Sequence, residues 1–158
     1  MKGSTQLALV LSLAMLATAA EARAQCQYLR GSISETRISQ GTEPTRILGT
    51  VTGVLNGAVT VTLINPTPPV RSSDIFVTKS GDVLRAEGLP VRTPIPGAPP
   101  GEFSVHVDLT IVGGSGKYEA AYGTMEFDGL GHTTAVPPTT ELIYKGTVCG
   151  PNVKGDGN

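Results

Sequence analysis

From Phe103 to Ile111 the chain alternates without a break, apolar residues at every second position and Ser104, His106, Asp108 and Thr110 between them. Successive side chains of a β-strand point to opposite faces, so this run turns Phe103, Val105, Val107, Leu109 and Ile111 to a core and wets the other four. The same period recurs along the sequence. Val59, Val61 and Leu63 alternate with Thr60 and Thr62 after Asn56-Gly57, a dipeptide suited to a tight hairpin turn, and Ile47 to Leu55 supplies the preceding arm. Ser73 to Thr78 and Val83 to Glu87 flank Ser80-Gly81-Asp82 as a second hairpin. Tyr28 to Ser34, Thr124 to Phe127 and Glu141 to Val148 read as further strands, and no long amphipathic helix interrupts them. The expected fold is all-β, a small antiparallel closed barrel of about eight strands, because closure leaves no exposed sheet edge. A two-sheet sandwich is the alternative.

The ends of the chain set its boundaries. Lys2, the apolar run Leu7 to Ala20 and Ala22-Arg23-Ala24 have the form of a secretory signal peptide over residues 1–24. The run is shorter than the roughly 18 to 20 residues that span a bilayer, so no membrane anchor is expected. Residues 25–150 form the expected barrel domain and 151–158, polar and glycine-rich, a flexible tail. The expected location is secreted or periplasmic. In such a compartment the two cysteines, Cys26 and Cys149, are expected to pair, the alternative being two buried thiols. A bridge between them places the first strand beside the last, as barrel closure requires. A net charge of −1 with no basic stripe points away from nucleic acid.

Gly113-Gly114-Ser115-Gly116 follows the long alternating strand and is succeeded by Lys117-Tyr118-Glu119-Ala120-Ala121-Tyr122-Gly123. The glycines tolerate positive φ, and the residues after them have length for about one helical turn, which would put Tyr118 and Tyr122 on one face. This pattern resembles the signature of the allene oxide cyclase and dirigent superfamily of small barrels. The cyclase form reads Gly-Gly-Ser-Gly-x-aromatic-Glu-x-x-Tyr-Gly, met here at every position, and the dirigent form has a basic residue and an aromatic where Lys117-Tyr118 stand. The likeness covers Leu109 to about Phe127 and extends weakly to Glu141 to Gly146. It implies the closed barrel, and, because such barrels are often trimers, a homo-oligomer. It carries over no catalytic residue: the first strand, Gln27 to Ser34, lacks the cyclases' glutamate and asparagine, and Ser104 to Asp108 replaces their tyrosine-rich strand.

Chemistry-bearing residues are sparse. His106 lies on the wet face of its strand and His132 in a glycine-rich loop, with no nucleophile elbow, phosphate loop or dinucleotide fingerprint. His106 and Asp108 share a strand face, but the sequence names no third metal ligand, so no metal and no cofactor are expected. Glu87, Glu119, Glu126 and Asp128 read as solvated groups near strand ends. The proline-rich stretch Gly88 to Gly101 reads as a long loop able to cover a site.

The functional expectation is a secreted barrel that binds or guides a small hydrophobic molecule without covalent chemistry, with Phe103, Val105, Val107, Leu109, Ile111, Tyr118 and Tyr122 as the candidate ligand-binding residues. Two alternatives stand beside it, a cyclase or isomerase of the allene oxide cyclase-like type and a structural or interaction module with a filled barrel. An open apolar pocket of roughly a few hundred Å³ favours the first two and a barrel packed solid the third, and within the first pair a carboxyl or tyrosine reaching into the pocket with a strongly displaced pKa favours an enzyme.

Overall fold

The computed structural model describes residues 24–39, 44–65 and 68–154 of the 158-residue chain. The signal segment therefore lies outside the described residues, apart from Ala24. Eight antiparallel strands follow one another around a closed barrel: β1 Gln25–Arg37, β2 Thr45–Val51, β3 Gly57–Leu63, β4 Ser72–Thr78, β5 Val83–Pro94, β6 Glu102–Ser115, β7 Tyr122–His132 and β8 Thr139–Gly150. Each strand pairs with its neighbours in sequence, and β1 closes on β8. The single helical element among the described residues is a 3-10 turn, Gly116–Tyr118, after the glycine-rich segment. This is the architecture that the period-two pattern predicts.

Closure is visible residue by residue. Cys26 and Cys149 stand directly opposite one another on β1 and β8 with Cα atoms 4.0 Å apart, and they are disulfide-bonded. On β6, Val105, Val107, Leu109 and Ile111 are buried inside, while Asp108 and Thr110 face out. The register between β5 and β6 slips by one residue between Arg85 and Ala86, leaving Val112 as an extra residue on β6. Gly113 follows it at φ +112°, a backbone angle that glycine adopts at little cost.

The interior has two unlike halves. Toward the end that holds the disulfide, Leu29, Leu55, Phe76, Leu84, Tyr118, Met125 and Val148 are buried almost completely. Phe76, Phe127 and Tyr144 stack edge to face through the middle, with centroids 6.1 and 6.2 Å apart. Tyr144 reaches the β2–β3 loop, where its hydroxyl donates to the Thr52 carbonyl at 2.9 Å and accepts from Leu55 N–H at 3.0 Å. Gly31 makes room for it, since a Cβ at that position would lie 2.6 Å from the tyrosine hydroxyl. Packing continues past Gly150: Val153 is buried beside Gly150 and Ala121, so the ordered core includes a residue that the sequence reading placed in the tail.

Two expectations change. The stretch Gly88 to Gly101 is not a long loop: β5 runs to Pro94 and pairs with β6 as far as Pro94↔Phe103, leaving a short turn at its tip. Tyr118 and Tyr122 do not share a helical face. The helical turn ends at Tyr118, which is buried, whereas Tyr122 begins β7 and points outward at 54% exposure.

Candidate functional site at the open end of the barrel

The other half of the barrel is neither solid nor wholly apolar. A small cavity of about 40 Å³ lies inside, lined by Ile47, Val61, Leu63, Val105, Val107, Phe127 and Leu142 together with Glu35, Ser72, Asp74, Thr140, Pro90 and Arg92. Above it a broad groove of about 1010 Å³ runs over the rim, bordered by Arg37, Pro44, Leu63, Pro68, Pro69, Val70, Leu89, Pro90, Val91 and Arg92. Leu63, Pro90 and Arg92 border both, so the groove adjoins the cavity. The strands make this end in the same way they make the core. Glu35 follows Leu29 and Ile33 in period two on β1, and Asp74 sits between Ser72 and Phe76 on the inward face of β4.

Two carboxyl groups are therefore held among apolar side chains. Asp74 is 2% exposed and Glu35 6%. Burial raises the Asp74 pKa to about 7, with Ser72 opposing the rise. Burial, then the Asp74 charge and weakly that of Glu141, raise Glu35 to about 7 against the pull of Arg92. Such values belong to the pair, whose members feel one another's charge. Neither Asp74 Oδ1 nor Ser72 Oγ has a hydrogen-bond partner in bonding geometry, although buried polar atoms are nearly always paired. Arg92 stands at the rim with its guanidinium 5.1 Å from the centre of the Phe103 ring. Desolvation and the neighbouring Arg37 charge lower its pKa, while Glu35 supports it. Two weak acids in an apolar recess can donate hydrogen bonds, accept them once ionised, or hold a charge of opposite sign.

The candidate residues from the sequence divide accordingly. Val105 and Val107 line the cavity. Phe103 packs at the rim beneath Arg92. Leu109, Ile111 and Tyr118 are buried, but none of them borders the cavity or the groove, and Tyr122 is outside. Glu35, Ser72, Asp74 and Arg92 were not singled out. The signal was present in Leu29-x-Gly31-x-Ile33-x-Glu35, where an acid keeps the inward beat of its strand. On β4 the beat misleads, because Ile75 and Val77 are the outward-facing residues and Asp74 and Phe76 the inward ones.

Pairing of β6 with β7 also assembles a group on the outer wall. His106 lies opposite Asp128 and Asp108 opposite Glu126. His106 Nδ1 is 2.7 Å from Asp128 Oδ1, Nε2 is 3.5 Å from Asp108, and Lys145 is 3.3 Å from Glu126. His106, Glu126 and Asp128 offer ligand atoms within 4.8 Å of one another, a group that does not include Asp108, the residue the sequence sets beside His106. The hydrogen bond to Asp128 raises the His106 pKa and lowers that of Asp128, the behaviour of an exposed ion-paired network. His132 is 3.6 Å from Glu102 at the open rim.

Fold and site together define a closed eight-stranded antiparallel barrel, stapled at one end and carrying a buried acid pair at the other. No protein-family model matches the chain. No curated protein matches it significantly in sequence. Among solved structures it is similar to the pterocarpan synthase dirigent protein GePTS1 at 15% sequence identity and a TM-score of 0.48, over 85% of this chain and 89% of that one. The fold described here stands on this chain's own strand order and register.

Proposed function

We propose that this protein binds a small, largely hydrophobic molecule at the open end of its barrel and guides it without covalent chemistry. The observation that carries this reading is an apolar groove adjoining a cavity where the buried Asp74 Oδ1 lacks a hydrogen-bond partner. The inner cavity, at about 40 Å³, is smaller than a whole ligand site, so the reading rests on the groove of about 1010 Å³ above it. Small-molecule sites commonly combine apolar walls with a few convergent polar groups. Export is part of the proposal, and the Cys26–Cys149 bridge supports it, since such bridges persist in oxidising compartments.

A second reading, a cyclase or isomerase, meets the criterion set from the sequence, a carboxyl with a displaced pKa at the pocket. Glu35 and Asp74, a pair raised to about 7, have the strength of a general acid at neutral pH, as a cyclase or isomerase would use. The two readings part on turnover, since a guiding barrel changes the product distribution of a reaction it does not accelerate.

Thermal-shift screening against terpenoid, phenolic and fatty-acid libraries tests the binding itself. A ligand at about 100 times its dissociation constant is expected to add about 2.7 kcal/mol of stability. Val107→Trp, which fills the cavity, is expected to abolish that gain, and Asp108→Ala on the outer wall to leave it intact. No shift from any class, or equal shifts in both variants, contradicts the proposal.

A further inference from the structure

Resting on that reading of the open end as a ligand site, we infer that its ligand carries a protonated amine, with the ammonium lodged in the inner cavity beside Asp74 and Ser72 and the apolar body lying in the groove above. Size is the first argument. A water needs about 10–15 Å³ of such space, so a cavity of about 40 Å³ admits a head group and excludes a whole ligand. The body must then rest in the groove, whose walls are mainly proline, leucine, isoleucine and valine.

Hydrogen bonding is the second argument. Asp74 Oδ1 and Ser72 Oγ are buried, border the cavity and have no partner in bonding geometry, although the Ser72 side chain is near enough to Asp74 to oppose the rise in its pKa. Glu35 and Thr140 border it too. An ammonium brings three donors and no acceptor, which complements a recess rich in oxygen. A hydroxyl brings one donor, and a carboxylate brings none.

Charge is the third. Glu35 has a counter-charge in Arg92, whose field acts on it directly. No basic group acts on Asp74, where burial is opposed only by Ser72. Of the other charges at this end, Arg37 acts on Arg92 and Glu141 on Glu35. With both carboxyls ionised, the pair and Arg92 hold one uncompensated negative charge, and the position short of a cation is Asp74. Entry of an ammonium below the apparent pKa of the pair expels one proton from a carboxyl group to the solvent, leaving an ammonium–carboxylate pair. Affinity is then expected to fall by up to about tenfold per pH unit below that value.

The test is isothermal titration calorimetry of the mature, disulfide-bonded protein with hexylamine, hexan-1-ol and hexanoate at about pH 6 and about pH 8, each in two buffers of different ionisation enthalpy. Hexylamine is expected to bind saturably, at least about tenfold more tightly than hexan-1-ol at about pH 8, and to release a proton at about pH 6. Asp74→Asn is expected to remove the preference for hexylamine, so that the amine and hexan-1-ol bind that variant with similar affinity. Should that variant not fold, buffer-dependent proton release by the unmodified protein reads the same proposal. Binding of hexan-1-ol or hexanoate as tight as that of the amine, or amine binding without proton release at the lower pH, overturns the charged head and leaves the groove as an apolar site. If none of the three binds, the inference falls, and the library screen decides separately whether the open end is a ligand site.

Discussion

Asp74 is a carboxyl group held where water barely reaches it, and the fold bears the cost of keeping it there. Glu35 shares that position, and the two together make stability depend on pH. The unfolded chain ionises them near their ordinary values of 3.8 and 4.5, whereas the folded chain holds them neutral to about 7. Stability contributed by the neutral folded pair is complete below the unfolded values and is lost as pH rises through the folded ones. We predict that Asp74→Asn and Glu35→Gln each flatten the fall in urea-unfolding free energy between about pH 4 and about pH 7 relative to the unmodified protein. Parallel curves for variant and parent would contradict it. Exposed carboxylates such as Asp82 and Asp128 have lowered pKa values and act in the opposite sense at lower pH, which is why the difference between curves is the quantity to read. Glu35 is legible in the sequence from its strand's alternation. Asp74 is not, because Ile75 and Val77 look like the inward residues of the same strand, and only pairing with β3 and β5 fixes which face turns in.

At the scale of elements, β8 does more than close the barrel. Its Tyr144 crosses the interior to hold the β2–β3 loop through two hydrogen bonds, one from the Leu55 N–H and one to the Thr52 carbonyl. Leu55 is fully buried, so removing the hydroxyl strands its N–H away from water. Tyr144→Phe is expected to cost about 1–3 kcal/mol in chemical denaturation, more than an exposed tyrosine such as Tyr122→Phe, and equal costs would contradict this role. Most strands were legible as elements because alternation and the Asn56-Gly57 and Ser80-Gly81-Asp82 turns act locally. The extension of β5 was not. Proline disfavours a strand by removing a ladder donor, yet Pro90 and Pro94 sit within one, opposite Val107 and Phe103. Tyr122 misled for a related reason: the chain leaves its 3-10 turn at Tyr118 rather than continuing a helix to Gly123.

At the scale of the molecule, the two ends of the barrel have different work. One is packed solid with Tyr118, Leu55 and Leu29, and the Cys26–Cys149 bridge joins strands 123 residues apart there. Cys149→Ser is expected to lower the melting temperature while leaving the far-UV spectrum of the barrel in place, since a bridge over so long a loop contributes on the order of 4–5 kcal/mol by restricting the unfolded chain. An unchanged melting temperature would contradict that. The other end keeps a groove, a cavity and an unpaired Asp74 oxygen, and it was only partly legible because an opening at a barrel end depends on side-chain volumes from eight strands at once. The division of labour between these ends is the central claim. It is tested most directly by methyl chemical-shift mapping during titration with a ligand found by the thermal-shift screen. The account predicts saturable shifts at Ile47, Val61, Leu63, Val105, Val107 and Leu142 around the cavity, with Leu29, Leu55, Leu84 and Val148 unmoved. Shifts centred on the latter group, or on the outer wall around Val112 and Ile143, would contradict it.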